Sequence, residues 1–245
     1  MFRWNADMIR FMADASTCGD YHAQLADILA RRLPGARSVC DAGCGLGYLA
    51  CAMAGKFDRV TAVDCSEPAY AALTALVRER GLSNVAPRLG DVLACPPEEP
   101  YDAMVFSFFG RLAEILKIGK AQCRGTLAVI KKDYRTHRFS VGQVPLTDET
   151  ADDAARRLDG LGIAYRREAR ELEMGQPFRT RADAARFFQI YSRDEHPETI
   201  GEAAVAPRLQ ETGRADFPYY LPQTRRLGML FIDTADIPND WEDTV

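Results

Sequence analysis

One stretch leaves this chain few possible folds: Val39-Cys40-Asp41-Ala42-Gly43-Cys44-Gly45-Leu46-Gly47. A short apolar lead, residues 38–41, reads as a strand and runs into three glycines at alternate positions. A helix-forming stretch over 46–56 follows. Glycines at such a turn take backbone angles closed to other residues and let main chain approach a ligand closely. The following residues keep alternating. Strands are expected over 59–64, 85–89, 103–107 and 126–130, and helices over 67–80 and 112–122. Ser66 and Pro68 suit the start of the first of these helices and Gly81 its end. Strand and helix in alternation predict a doubly wound, mostly parallel α/β sheet.

Both ends of the chain depart from that pattern. Residues 1–33 read as two helices. The first carries an apolar stripe of Trp4, Met8, Phe11 and Met12, and a break at 16–19 follows it. Asp20 is placed to cap the second, whose stripe is Tyr21, Leu25, Ile28 and Leu29. Further on, Thr147 is expected to cap a helix over 148–158. Residues 163–173 are charge-rich, as an edge strand would be, and 227–232 form an apolar strand. About fifty residues separate these two strands, too many for a structureless connection in a compact domain. They include a helix with Ala184, Phe187, Ile190 and Tyr191 on one face, and an aromatic run with Phe217, Tyr219 and Tyr220. The expectation is one domain over 1–245: a helical cap (1–33), a core (36–173), an inserted cap segment (174–224), and a last strand with a solvated acidic tail (225–245). The insertion and the N-terminal stripe are expected to form a lid on the sheet's ligand-binding mouth. The rival is an insertion packed on the far edge or used as a dimer contact.

Composition narrows the partners. With 47% hydrophobic residues in 245, the chain can build a full core. A net charge of −4 disfavours nonspecific binding to nucleic acid or anionic membrane. No apolar run approaches the roughly 18–20 residues of a membrane span. The first seven residues lack the features of a secretory signal, so a cytoplasmic location is expected. Seven cysteines without a CxxC pair read as free thiols packed as small hydrophobes. Three histidines far apart in sequence (22, 137 and 196) show no metal motif.

Three acids sharpen the glycine signal. Asp41 stands two residues before Gly43, Asp64 closes the second strand, and Asp91 follows the third within Gly90-Asp91-Val92. Together with Tyr101-Asp102-Ala103-Met104-Val105-Phe106-Ser107, these elements resemble the motifs of class I S-adenosylmethionine-dependent methyltransferases, in that family's order, over roughly residues 20–135. The resemblance implies a Rossmann-like, mostly parallel seven-stranded sheet and S-adenosyl-L-methionine as cofactor. It implies that Gly43 and Gly45 pass beside the methionine moiety and that Asp41 organises the loop or meets its ammonium. Asp64 would accept from the ribose hydroxyls, with Cys65 and Ser66 nearby. Asp91 and the Val92 amide would meet adenine, and Phe106 and Ser107 would lie beneath the sulfonium.

Displacement at a sulfonium methyl relies on alignment and desolvation, and needs a general base only when the acceptor keeps its proton. No catalytic signature is visible, and none is assigned. The Asn/Asp-Pro-Pro-aromatic motif of amino-nitrogen methyltransferases is replaced by Ser107-Phe108-Phe109-Gly110. Acceptor-side candidates are Tyr21, His22, Tyr134 and His137. The favoured reading is methylation of a small molecule, without a metal. Methylation of protein or RNA, and a non-catalytic cofactor-binding subunit, stay open. A nicotinamide-dependent oxidoreductase is disfavoured by the glycine spacing and the lack of a Tyr-x-x-x-Lys pair. Oligomeric state is left open.

Overall fold

A computed structural model describes residues 4–241; residues 1–3 of the N-terminal cap and 242–245 of the tail lie outside the described residues. The chain opens with α1 (Ala6–Thr17) and α2 (Tyr21–Arg32). It continues through β1 (Ser38–Ala42), α3 (Tyr48–Met53), β2 (Arg59–Asp64), α4 (Glu67–Glu79), β3 (Val85–Leu89), β4 (Tyr101–Ser107), α5 (Leu112–Gln122) and β5 (Cys123–Lys132). Then come α6 (Ala151–Gly160), β6 (Arg166–Glu173), β7 (Gln176–Phe178), α7 (Arg181–Tyr191), α8 (Glu202–Val205), β8 (Gln210–Glu211), β9 (Tyr219–Leu221) and β10 (Thr224–Asp233).

Seven strands form one sheet in the order β3-β2-β1-β4-β5-β10-β6. All neighbours are parallel except β10, which runs antiparallel to β5 and β6. This is the expected Rossmann-like sheet. Winding reverses between β1 and β4, where doubly wound folds open a crevice beyond the strand ends. Every residue of β1 is buried, so the glycine turn leaves from the centre of the core. Leu25, Leu29, Met53 and Leu73 pack on one face of the sheet, and Ile115, Leu116, Ala154 and Leu158 on the other.

Residues 174–223 fold rather than wander. They form a small antiparallel sheet, β7-β9-β8, beside α7. Phe11 of α1 is wedged into this unit, its ring centroid 5.3 Å from that of Phe187 and 6.0 Å from that of Phe178, both edge-on. Gln176 donates its side-chain amide to the Phe11 carbonyl at 3.0 Å. Ion pairs Arg10–Asp183 (2.9 Å), Arg186–Asp7 (3.0 Å) and Arg179–Asp14 join the same two pieces.

Several local expectations shift. Gly47 takes a left-handed conformation (φ 75°) and caps α3, so Leu46 stays in the turn and the helix ends at Met53. Thr150, not Thr147, caps α6: its hydroxyl accepts from the Asp153 amide and the Asp153 carboxylate accepts back from the Thr150 amide. That reciprocal box satisfies two otherwise orphaned donors, and Thr147 has no comparable partner. Asp20 stands at the N-cap of α2, but its carboxylate accepts from the Gln24 side chain (2.6 Å) and not from a helix amide. The tail is not wholly solvated either. Ile237 and Trp241 are buried against the α5–α6 face.

Candidate active site

The glycine turn is held by the two strands beneath it. The Val63 carbonyl accepts from the amides of Gly43 (2.9 Å) and Cys44 (3.1 Å). Gly43 has φ 68°, and a Cβ there would lie 2.1 Å from the Phe109 ring. Asp64 ties the turn to the start of α4: its Oδ2 accepts from the Gly45 amide at 2.8 Å and its Oδ1 from the Ser66 amide at 2.9 Å. Ser66 therefore orients through its own amide and makes no side-chain cap. A carboxylate offers about four lone-pair sites, so Asp64 retains acceptor capacity for hydroxyl donors.

Asp41 is the unusual acid. It is 2% exposed, and its Oδ2 is buried without a hydrogen-bond partner. Burial, and then the nearby Asp64 charge, push its carboxyl up to about 7, against the lowering effect of a hydrogen bond from the Ala50 amide. A lone carboxylate oxygen beside a glycine cradle fits an ammonium-bearing ligand, because a cation there removes the desolvation cost. On this observation the residues suit the methionine end of the expected cofactor.

A cavity of about 470 Å³ opens over the turn. It brings together Asp41, Gly43, Gly45, Asp64, Cys65 and Ser107 with all four acceptor-side candidates, Tyr21, His22, Tyr134 and His137. Cys65 is exposed rather than packed as a small hydrophobe, unlike buried Cys40, Cys51 and Cys123; all seven thiols are free. Asp91 and Val92 stand outside the lining. Asp91 is exposed and accepts from the Leu93 amide at 3.0 Å, and Val92 is buried with its carbonyl accepting from Gln122 at 2.6 Å. Phe106 is fully buried in the core below, so of the β4 end only Ser107 reaches the space.

Sequence reasoning missed part of the wall. Phe108 and Phe109 line the cavity directly after β4, with Phe108 in the left-handed region at φ 56°. Their position was marked only by the absence of a proline motif. Lys132, Arg138, Phe139, Met174 and Arg225 also line it, and no sequence signal joined residues so far apart.

The electrostatics divide the cavity. His22 stacks on Tyr48 (5.6 Å) and meets Tyr21 edge-on (5.1 Å). Burial, then Arg225 and Arg80, lower its pKa to about 3, so at neutral pH it is an uncharged imidazole and a weak base. His137 pairs through Nδ1 with the Ser140 hydroxyl at 3.0 Å and is also held down, by burial and then Arg193 and Lys132. The Tyr21 hydroxyl is buried; burial raises its pKa, and the charge and side chain of Arg225 oppose that rise. His196 is exposed beside Glu198 and is absent from the cavity lining. Among the described residues, no group of three or more His, Cys, Asp or Glu is arranged to hold a metal, and no helix is long and apolar enough to cross a membrane.

Residues 39–121 match a family model described as a methyltransferase domain. Among solved structures, the chain resembles a SAM-dependent methyltransferase from Aquifex aeolicus at 15% identity, with a TM-score of 0.53 over 94% of this chain and 100% of that one. A putative methyltransferase from Bacillus halodurans gives 13% identity and a TM-score of 0.53 over 88% and 99% of the two chains. A coclaurine N-methyltransferase bound to N-methylheliamine and SAH gives 16% and 0.50 over 86% and 71%. At such identities these likenesses concern the fold. No curated protein matches the sequence.

Proposed function

We propose that this chain is a class I S-adenosylmethionine-dependent methyltransferase and that it methylates a small molecule held in the cavity over the glycine turn. When bound, the cofactor supplies a methyl carbon already activated by the adjacent sulfonium charge. The chain's own residues bind, orient and exclude water. Asp41 offers its unpartnered oxygen to the ammonium, Asp64 its remaining lone pairs to the ribose hydroxyls, and the Gly43–Gly45 backbone a surface without side chains. Ser107, at the end of β4, borders the reacting side, and Cys65 the ribose side beside Asp64. The adenine edge stays assigned to Asp91 and the Val92 amide at the exit of β3, the strand beside the one that carries Asp64.

The cavity carries this reading. Its volume lies in the small-ligand range of about 300–1,000 Å³, and cofactor and acceptor have to share it. Its walls come from α1, α2, the β4 and β5 exits and β10, which favours an enclosed acceptor over a polymer strand. Such walls expel water and fix the acceptor in line, the two contributions displacement needs most. Transfer from methyl-labelled cofactor into a metabolite extract, a protein extract and total RNA tests the proposal. Label in the metabolite fraction is expected. Label confined to protein or RNA overturns it, and cofactor binding without transfer to any fraction supports a non-catalytic subunit instead.

A further inference from the structure

Three cations line the cavity, and they differ in one respect. Lys132 is ion-paired with Asp148, but Arg138 and Arg225 have no carboxylate within ion-pair distance among the described residues. Arg226, next in sequence to Arg225, does have one, Glu171 at 3.3 Å. Nearby acids are already engaged. Glu173 accepts from the Tyr220 hydroxyl and the Gln223 amide, and Asp133 pairs with Arg167.

Both arginines are half-buried against aromatic faces. The Arg225 guanidinium carbon lies 5.4 Å from the centroid of Tyr21 and 5.7 Å from that of Phe108, and that of Arg138 lies 5.2 Å from Tyr134. Desolvation penalises Arg138 and the Arg225 charge adds to the penalty, while Tyr134 and, more weakly, the Glu173 carboxylate oppose it. Two half-buried cations in one half-enclosed space, neither ion-paired to a carboxylate, carry a cost that an anionic ligand removes. The Tyr21 hydroxyl, in a side chain only 5% exposed, lines the same space beside Arg225. Strand order separates this end from the acids. Asp41 and Asp64 leave from β1 and β2, whereas Arg138 follows β5 and Arg225 begins β10, on the other side of β4.

From this arrangement we infer that the acceptor is a small aromatic acid whose carboxylate is held by Arg138 and Arg225, with the Tyr21 hydroxyl as a third donor. A guanidinium presents a planar fork that matches a carboxylate, and the stacked rings accept a flat apolar skeleton. The carboxylate sits at the β5–β10 end, which leaves the rest of the ring to face the glycine turn. This rests on the small-molecule reading above and deepens it.

The test separates the two. A metabolite extract is split by ion exchange into acidic, neutral and basic fractions before incubation with methyl-labelled cofactor. Incorporation from the acidic fraction is expected. Incorporation only from the neutral or basic fraction overturns the acid assignment and leaves the small-molecule reading standing, whereas label confined to macromolecules removes both. The Arg138→Gln, Arg225→Gln double variant should raise the apparent KM for the purified acidic acceptor at least roughly tenfold. Its affinity for S-adenosylhomocysteine, read by calorimetry, should stay at the parent value and certify the fold. An unchanged KM in a double variant that still binds S-adenosylhomocysteine overturns the role of these arginines.

Discussion

Replacing Asp41 with asparagine should make the cofactor-free protein more stable at neutral pH while weakening cofactor binding. The carboxyl ionises near 3.8 in an ordinary setting and at about 7 in the fold, mainly because it is buried. A raised carboxyl pKa favours the folded state most below the ordinary value. That contribution is lost as pH climbs through the folded one, and above about 7 the full penalty applies. Three units correspond to roughly 4 kcal/mol, of which about 3 kcal/mol should develop between pH 4.5 and 8. Asparagine has no such term. His22 titrates with the opposite sign in the same window: its lowered pKa gives stability that is present above about 6.5 and lost as pH falls toward 3. Asp41 is not among the groups that shift His22, so this term cancels when the two proteins are compared. Urea unfolding of parent and Asp41→Asn at pH 4.5, 6 and 8 should show the variant's advantage growing with pH. S-adenosylhomocysteine should bind the variant about tenfold more weakly, since its ammonium loses a charged partner. A stability difference that stays constant across that pH range would refute the argument.

Asp64→Ala should lower affinity for S-adenosylhomocysteine at least roughly tenfold. It also strips the Gly45 and Ser66 amides of their acceptor, so calorimetry must be paired with a melt; full affinity in a folded variant would misplace the ribose site. Gly43→Ala combines a left-handed backbone with a Cβ driven into Phe109, and should cost about 1–3 kcal/mol in chemical unfolding; an unchanged midpoint would contradict the geometry. A chelator should leave methyl transfer intact, and loss that a divalent ion restores would reveal a metal requirement. With S-adenosylhomocysteine and acceptor both bound, residues 174–224 and 4–20 should gain hydrogen-exchange protection. Protection of the glycine turn alone would exclude a lid.

Where a feature was carried by neighbours in sequence, it could be read. The glycine turn, Asp41, Asp64, the order of the core strands and the Gly81 stop of α4 all depend on contacts within one βα unit, and all stand where expected. Capping shows the limit. Thr147 and Thr150 both precede acids, and only the Thr150–Asp153 box decides between them. The acceptor side was less legible because tertiary contact alone assembles it. Arg138 and Arg225 are 87 residues apart, and each reads as an ordinary surface arginine until the sheet brings β5 and β10 together. The same is true of Trp241, whose burial depends on a core face built by residues 81 to 129 positions earlier.

The wedge of Phe11 into the inserted unit also sets an order of assembly. The partners that hold α1 stand 165 to 179 residues further along the chain. The first helix synthesised therefore lacks most of its hydrogen-bond and ion-pair partners until α7 exists. The glycine turn, by contrast, draws its backbone hydrogen bonds from β2, within twenty residues. Closing the longer loop costs more chain entropy and slows folding. The glycine turn is thus expected to form early and locally, and the wall that carries Trp4 and Met12 late. Parts that assemble late through distant contacts are also the parts that open first. Opening of α1 would loosen the wall that carries Trp4 and Met12 while the glycine turn keeps its backbone hydrogen bonds to β2.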